Sequence, residues 1–283
     1  MKKFILSWCN MLLKPIASAN DEAVRSVFFL FFAIFFLFFP NSTAKVTEKV
    51  QNLSSLPNFF VILHSVNDSL MKKTIYNKFN KQLIPALPVV QFEGRVVVIL
   101  TKRDAARAVD YLLRQSILGV DTETRPSFRR GDNHRVSLLQ VSTHDTCFLF
   151  RLNHTGLTAD IVRLLEDTTV PKIGLSLGDD ILSLHRIGGF TPGFFIDLQN
   201  HVKEIGIEDL SLQKLYANLF GLRISKRQQL SNWERDILDE KQKSYAATDA
   251  WACIMLYEEL QRLKETGDYI LVKNEEEGVK PGT

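Results

Sequence analysis

ILGVDTETRPSFRRGDNHRVSLLQVSTHDTCFLFRL occupies residues 117–152. Its apolar and β-branched runs, 117–124, 136–143 and 146–152, each read as a strand. Only His144 and Asp145 separate the last two runs. A connection that short predicts an antiparallel hairpin, because parallel neighbours need a crossover of a dozen or more residues. Before this block, RVVVIL (95–100) reads as another strand, and Thr101 can cap a helix running to about Gln115. Ala105, Ala106, Val109, Leu112 and Leu113 form the expected apolar face of that helix. After the block the pattern alternates. A helix is expected over 157–167, a strand over 172–175, a helix after Gly178 and a strand at FFIDL, 194–198. Further helices follow near 209–219 and 240–263, and the charged tail beyond Gly267 is expected to fray. Antiparallel strands followed by strand–helix alternation predict an α/β fold, a mixed sheet of five to six strands flanked by helices. There is no internal repeat and no linker inside it.

The chain has 283 residues, 45% hydrophobic and 24% charged, with a net charge of +3. That balance supports a globular core and permits, without demanding, nucleic-acid binding. Cys9, Cys147 and Cys253 lie far apart and the six histidines are scattered, so neither a zinc site nor a disulfide framework is indicated. Four segments result: an N-terminal extension over 1–70, a lead-in over 71–93, a catalytic-type domain over 94–265 and a C-terminal tail over 266–283. Within the extension, VFFLFFAIFFLFF (27–39) is shorter than the ~20 residues of a membrane span. It suits the apolar region of a signal peptide, with Arg25 before it and Ser42-Thr43-Ala44 after it. The other reading starts translation at Met71, leaving the upstream residues outside the protein. A start at Met71 implies a cytoplasmic protein; use of 27–39 implies an exported or membrane-anchored one.

The acidic residues carry the chemistry. On a strand, residues i and i+2 share a face, so Asp121 and Glu123 stand side by side at the end of an apolar run. Adjacent carboxylates raise each other's pKa unless a cation joins them. Arg125 offers a plainer partner for one of them. Asp179 and Asp180 begin the helix after KIGLSL, where acids favour the positive end of the macrodipole. Asp179 is expected to cap it and Asp180 to face a site, since α/β sheets bind ligands at strand ends. In KQKSYAATDAWACIMLY, Tyr245 and Asp249 are one helical turn apart on one face. A carboxylate on so apolar a helix requires a partner, either a base or a metal ion.

Taken together, Asp121-x-Glu123, Asp180 and Tyr245-x-x-x-Asp249 resemble the DEDD superfamily of 3′–5′ exonucleases in its tyrosine subclass. Members include ribonuclease D, the proofreading domain of DNA polymerase I and the exonuclease domain of the Werner-syndrome helicase. GVDTET, VSLLQVST, KIGLSLGDDILSL and SNWERDILDEKQKSYAATDAW look most like the last of these, over about 94–262. The resemblance implies a ribonuclease-H-like fold and release of nucleoside monophosphates from the 3′ ends of DNA or RNA. It implies two divalent cations, Mg²⁺ or Mn²⁺, that activate water and neutralise the leaving oxygen. Asp121, Glu123, Asp180 and Asp249 would ligate them, and Tyr245 would orient the attacking water. The backbone of Thr122 would face the terminal nucleotide.

From the sequence itself, Phe128 and the Arg129-Arg130 pair are candidates for gripping the strand end, and Lys226 and Arg227 for holding phosphates. Trp233, Trp251, Tyr216 and Phe220 read as core. No helicase motif is present in the chain and no obligate protein partner is evident. The alternatives are an endonuclease on the same broad fold and a non-catalytic nucleic-acid-binding module.

Overall fold

The computed structural model describes residues 72–129 and 131–274. The apolar run at 27–39, the start at Met71, Arg130 and the end of the tail lie outside the described residues. The described residues hold eight strands: β1 (Lys73–Tyr76), β2 (Arg95–Ile99), β3 (Leu118–Thr124), β4 (Val136–Ser142), β5 (Thr146–Arg151), β6 (Lys172–Gly174), β7 (Phe195–Asp197) and β8 (Tyr269–Val272). The helices are α1 (Lys102–Leu112), α2 (Leu152–Thr155), α3 (Ala159–Glu166), α4 (Leu177–His185), α5 (Leu198–Glu204), α6 (Leu212–Phe220) and α7 (Glu240–Thr266). Among the described residues, none of them is long and apolar enough to cross a membrane.

Six strands form one mixed sheet in the order β2-β5-β4-β3-β6-β7. β4–β5 pairs antiparallel, as its short connection requires; β3–β4 is antiparallel too, across the longer segment 125–135, and the flanking pairs are parallel. Alternation assigns the two faces. Val120, Leu139, Val141, Phe148 and Phe150 pack with the residues of α1, α3 and α4. Leu138, Cys147 and Leu149 point the other way, against Trp233 and Ala246–Ala247 of α7. On α1, Thr101 accepts a hydrogen bond from the Asp104 N–H at 3.1 Å, as expected for a cap. Its buried stripe is Ala105, Ala108, Val109 and Leu112; Ala108 takes the place expected of Ala106.

α7 positions half of the site. Asp239 and Gln242 close a reciprocal capping box at its start, with bonds of 2.9 and 3.2 Å. Ala246, Ala247 and Ala250 are fully buried, so the helix backbone lies close against the sheet. Gly119 on β3 completes that approach, since a Cβ there would sit 1.9 Å from the Ala250 carbonyl oxygen. Gly119→Ala is therefore expected to push α7 off β3 and cost about 2–3 kcal/mol, the usual penalty of overpacking. Chemical denaturation of the variant measures this; an unchanged midpoint would refute the close approach.

For its described part, residues 268–274, the expectation of a frayed tail does not hold. Gly267 closes α7 in the left-handed conformation, φ 68°. The run Tyr269–Val272 then pairs with Lys73–Tyr76 as a second, two-stranded sheet. Its physical reason is apolar: Leu271 packs on the cluster holding fully buried Ile75. Asn218 of α6 brackets Tyr76, accepting from its N–H at 2.9 Å and donating to its carbonyl at 2.7 Å. The lead-in thus begins with an ordered strand.

Candidate active site

β3 leaves the sheet centre carrying Asp121 and Glu123 on the face covered by α7. That face is fixed by Gly119, two residues earlier and in contact with Ala250. Asp249 descends from α7 onto the same spot. One carboxylate oxygen from each of Asp121, Glu123 and Asp249 lies within 4.8 Å of the others. Asp249 and Glu123 are buried. Tyr245 is partly buried one turn before Asp249, its ring 6.0 Å from that of fully buried Trp233.

Asp180 stands outside this trio, on α4. The Thr122 hydroxyl, on the opposite face of β3 from Asp121, donates a short hydrogen bond to Asp180 Oδ1. Thr122 thereby couples the fourth acid to the strand that carries the first two. The expected capping role of Asp179 is not what the structure shows. α4 starts from Ser176 in the left-handed conformation, φ 62°. The Asp197 carboxylate accepts from the Ser176 and Leu177 N–H groups at 3.1 and 2.9 Å. Asp197 reaches this position from the end of the neighbouring strand β7 and leaves Asp179 in solvent. A distant carboxylate can outcompete a local one for a helix start, and the local sequence does not reveal it.

A cavity of about 300 Å³ opens over the acids. Asp121, Thr122, Glu123, Tyr245, Asp249 and Lys226 all line it. Asp180 lines a smaller adjoining space with Asp121 and Thr122. Phe128 is 78% exposed and, like exposed Arg227, is not part of the cavity wall. Phe128 is not brought to the acids, because the residues after Thr124 turn outward toward solvent, and Arg227 faces solvent in the irregular segment after α6. Sequence reading missed the wall opposite, formed by Ser211, Leu212 and Gln213 at the start of α6, with Gln229. Gln213 holds this wall together by donating to the Ile224 carbonyl at 2.6 Å. Its only trace in the sequence is an ordinary amphipathic helix start.

A sequence model described as 3′–5′ exonuclease matches residues 96–265. The chain belongs to that 3′–5′ exonuclease family. The bifunctional 3′–5′ exonuclease/ATP-dependent helicase WRN of Mus musculus is 28% identical over 203 residues, 68% of this chain and 14% of that protein. A 3′–5′ exonuclease of Arabidopsis thaliana is 27% identical over 242 residues, 79% of this chain and 83% of that one. The chain thus spans a small part of the first relative and most of the second. In fold, the chain resembles the crystal structure of Escherichia coli RNase D, an exoribonuclease involved in structured RNA processing. That likeness has a TM-score of 0.55 at 19% identity and covers 60% of this chain and 45% of that one.

Electrostatically the site is under strain. Burial holds the Asp121 carboxyl well above the usual carboxylate range, and Asp180 and Asp249 add to the effect. Glu123 is pushed up to about 10 by burial and then by Asp121, Asp249 and Asp180. Asp249 rises to about 7 through burial, restrained by the Tyr245 phenol and the charge of Lys226. Asp180 rises to about 6, mostly by burial, with the Thr122 hydroxyl holding it down. Burial and the neighbouring carboxylates raise the Tyr245 phenol as well. Asp249 Oδ1 is buried without a hydrogen-bond partner among the described residues. An all-oxygen donor set, mutual repulsion and an orphaned carboxylate oxygen fit a hard divalent cation.

Proposed function

We propose that the protein removes nucleotides one at a time from the 3′ end of a DNA or RNA strand, using two divalent cations, Mg²⁺ or Mn²⁺. The observation that carries this reading is the convergence of Asp121, Glu123 and Asp249 within 4.8 Å, beside Tyr245. Asp121, Glu123 and Asp249 would hold one cation, and Asp121 with Asp180 the other. When bound, such ions lower the pKa of water and neutralise charge at the phosphate.

The chain's own residues account for the rest. The Tyr245 phenol, raised by burial and the nearby carboxylates, stays protonated at neutral pH. It therefore orients water through its hydroxyl and does not remove a proton. Lys226 brings the positive charge on the cavity wall, suited to a backbone phosphate. Thr122 fixes Asp180 from one side of β3 while Asp121 serves the other.

The test is degradation of 5′-labelled single-stranded DNA and RNA of one sequence, with Mg²⁺, Mn²⁺ or EDTA. A metal-dependent ladder of single-nucleotide steps is expected, and the polymer degraded faster identifies the substrate class. Internal cuts would indicate an endonuclease; binding without cleavage would indicate a non-catalytic module. In the same assay Tyr245→Phe is expected to lower kcat by roughly 10- to 100-fold with KM little changed, the pattern of a lost transition-state interaction. Unchanged turnover would remove the phenol from the reaction.

A further inference from the structure

Glu234 lies in the irregular segment that leads into α7, and its carboxylate meets both ends of the connection from β3 to β4. Its Oε2 accepts from Arg125 Nη1 at 3.2 Å and its Oε1 accepts from His134 Nδ1 at 2.9 Å. Arg125 stands two residues beyond Glu123, and His134 two residues before β4. Arg125, a plain candidate partner for the acids of its own strand, is thus engaged by a distant one. The ladder alone holds this end of β3 poorly. Its register slips where Glu123 faces Leu138 and Thr124 faces Val136, so Ser137 is passed over. A bulge of this kind bends the strand and interrupts its pairing.

Glu234 makes these contacts from a fixed base. Its N–H donates to Asn232 Oδ1 at 3.0 Å, and its carbonyl accepts from Asn153 Nδ2 at 3.3 Å. Trp233 beside it is fully buried against the Tyr245 ring. Two residues on, the Asp236 carbonyl accepts from Nη1 of buried Arg151, on β5, at 3.2 Å. Gln242 of α7 reaches back to Ser231 Oγ at 2.9 Å and to the Asn232 carbonyl at 3.2 Å. The segment 231–236 is therefore locked both to the sheet and to the helix that carries Tyr245 and Asp249.

We propose that Glu234 is a positioning residue: by gripping Arg125 and His134 together it fixes the Glu123 end of β3 against the segment that launches α7, and so sets Glu123 relative to Asp249. The inference rests on the proposed metal-dependent reading of the site. Glu234 does not line the cavity over the acids, so it acts through the strand and not on the reacting atoms. Partly exposed ion pairs add little to stability, so the loss of this one falls on the geometry of the site.

Glu234→Ala, Glu234→Gln and Glu234→Ala combined with Arg125→Ala would be compared with the full-length wild type by Mn²⁺ titration, steady-state hydrolysis and melting in EDTA. Glu234→Ala is expected to weaken Mn²⁺ binding about tenfold, the usual effect of losing a group that orients a metal ligand. It should lower kcat with the strand's KM little changed, and lower the EDTA melting temperature by no more than about 3 °C. Glu234→Gln keeps an oxygen for Arg125 and offers an N–H to His134, so it is expected to restore most of both losses. The double variant should match Glu234→Ala, because the tie is already broken. Wild-type Mn²⁺ affinity in Glu234→Ala, or equal losses in Glu234→Gln, would overturn the proposal while leaving the metal-dependent reading intact. Recovery of affinity in the double variant would also overturn it, by showing that Glu234 only keeps the Arg125 charge away from Glu123. So would a raised KM at unchanged kcat, which assigns the contact to strand binding, or a large drop in the EDTA melting temperature, which assigns it to the fold. A wild-type protein that takes up no Mn²⁺ would instead sink the metal-dependent reading, and this inference with it.

Discussion

Asp121→Asn is expected to reduce strand hydrolysis by at least about a thousandfold and to raise the melting temperature of the metal-free protein. The two effects have one cause. Asp121 is the carboxylate on which the others bear: Asp180 and Asp249 both push its pKa up, and it does the same to Glu123. It also shares the close cluster with Glu123 and Asp249. Removing its charge leaves a cation without a central ligand, and losses of several kcal/mol in transition-state stabilisation follow when such electrostatic support goes. Without metal the same charge is a liability, held in a buried site among like charges. Asparagine keeps the shape and keeps an oxygen to accept from the Thr122 backbone N–H, which the aspartate engages now. Binding of a 3′-ended strand in EDTA should change little or improve. The measurements are single-turnover hydrolysis and melting in EDTA, on the same preparation. Retention of a tenth of wild-type turnover would exclude a central role for Asp121. A lowered metal-free melting temperature would exclude the repulsion.

The acids and the sheet were legible for the same reason: both are written in short periods. Asp121 and Glu123 obey the two-residue repeat of a strand, and Tyr245 and Asp249 the four-residue spacing of a helix face. Likewise His144-Asp145 is too short for anything but a hairpin, and the structure pairs Ser142 with Cys147 across it. What was not legible depends on partners far away in the chain. YILV at 269–272 is an apolar run, but nothing local says that it pairs with KTIY at 73–76. Asp179 looks like a cap until Asp197 arrives from β7 to take the N–H groups. Arg227 and Lys226 are adjacent and alike in charge, yet only Lys226 reaches the cavity wall, a difference fixed by backbone direction in an irregular segment. Glu234 reads as one more charge before α7; its grip on Arg125 and His134 becomes visible only when the ends of β3 and β4 are set beside it.

Acidity provides the second large expected effect. In EDTA the protein is expected to lose stability steadily as pH rises from about 5 to 9, and divalent cation is expected to restore it, more strongly at the alkaline end. The sign follows from proton counts. Asp180, Asp249 and Glu123 have folded-state values of about 6, about 7 and about 10. Their ordinary values lie near 3.9 for aspartate and 4.3 for glutamate. Between the ordinary and the folded values, the native state binds more protons than the unfolded state, so stability falls as pH rises. Below about pH 4 both states are protonated and these groups contribute no slope. The window closes in sequence, for Asp180 first, then Asp249, then Glu123. At about 1.4 kcal/mol for each pH unit over which only the folded form keeps its proton, Asp249 alone accounts for a loss on the order of 4 kcal/mol by neutral pH. The groups titrate together, so the losses do not simply add. A cation competes with those protons and reverses the trend, because metal binding to carboxylates strengthens as the protons leave. Urea denaturation across this pH range, with EDTA and with Mg²⁺, measures both curves. Asp249→Asn should make the metal-free curve less steep below about pH 7, where Asp180 and Glu123 still contribute a fall. A metal-free stability that is level with pH would mean that these carboxylates are solvated in the native protein, and the electrostatic basis for a metal site would be lost.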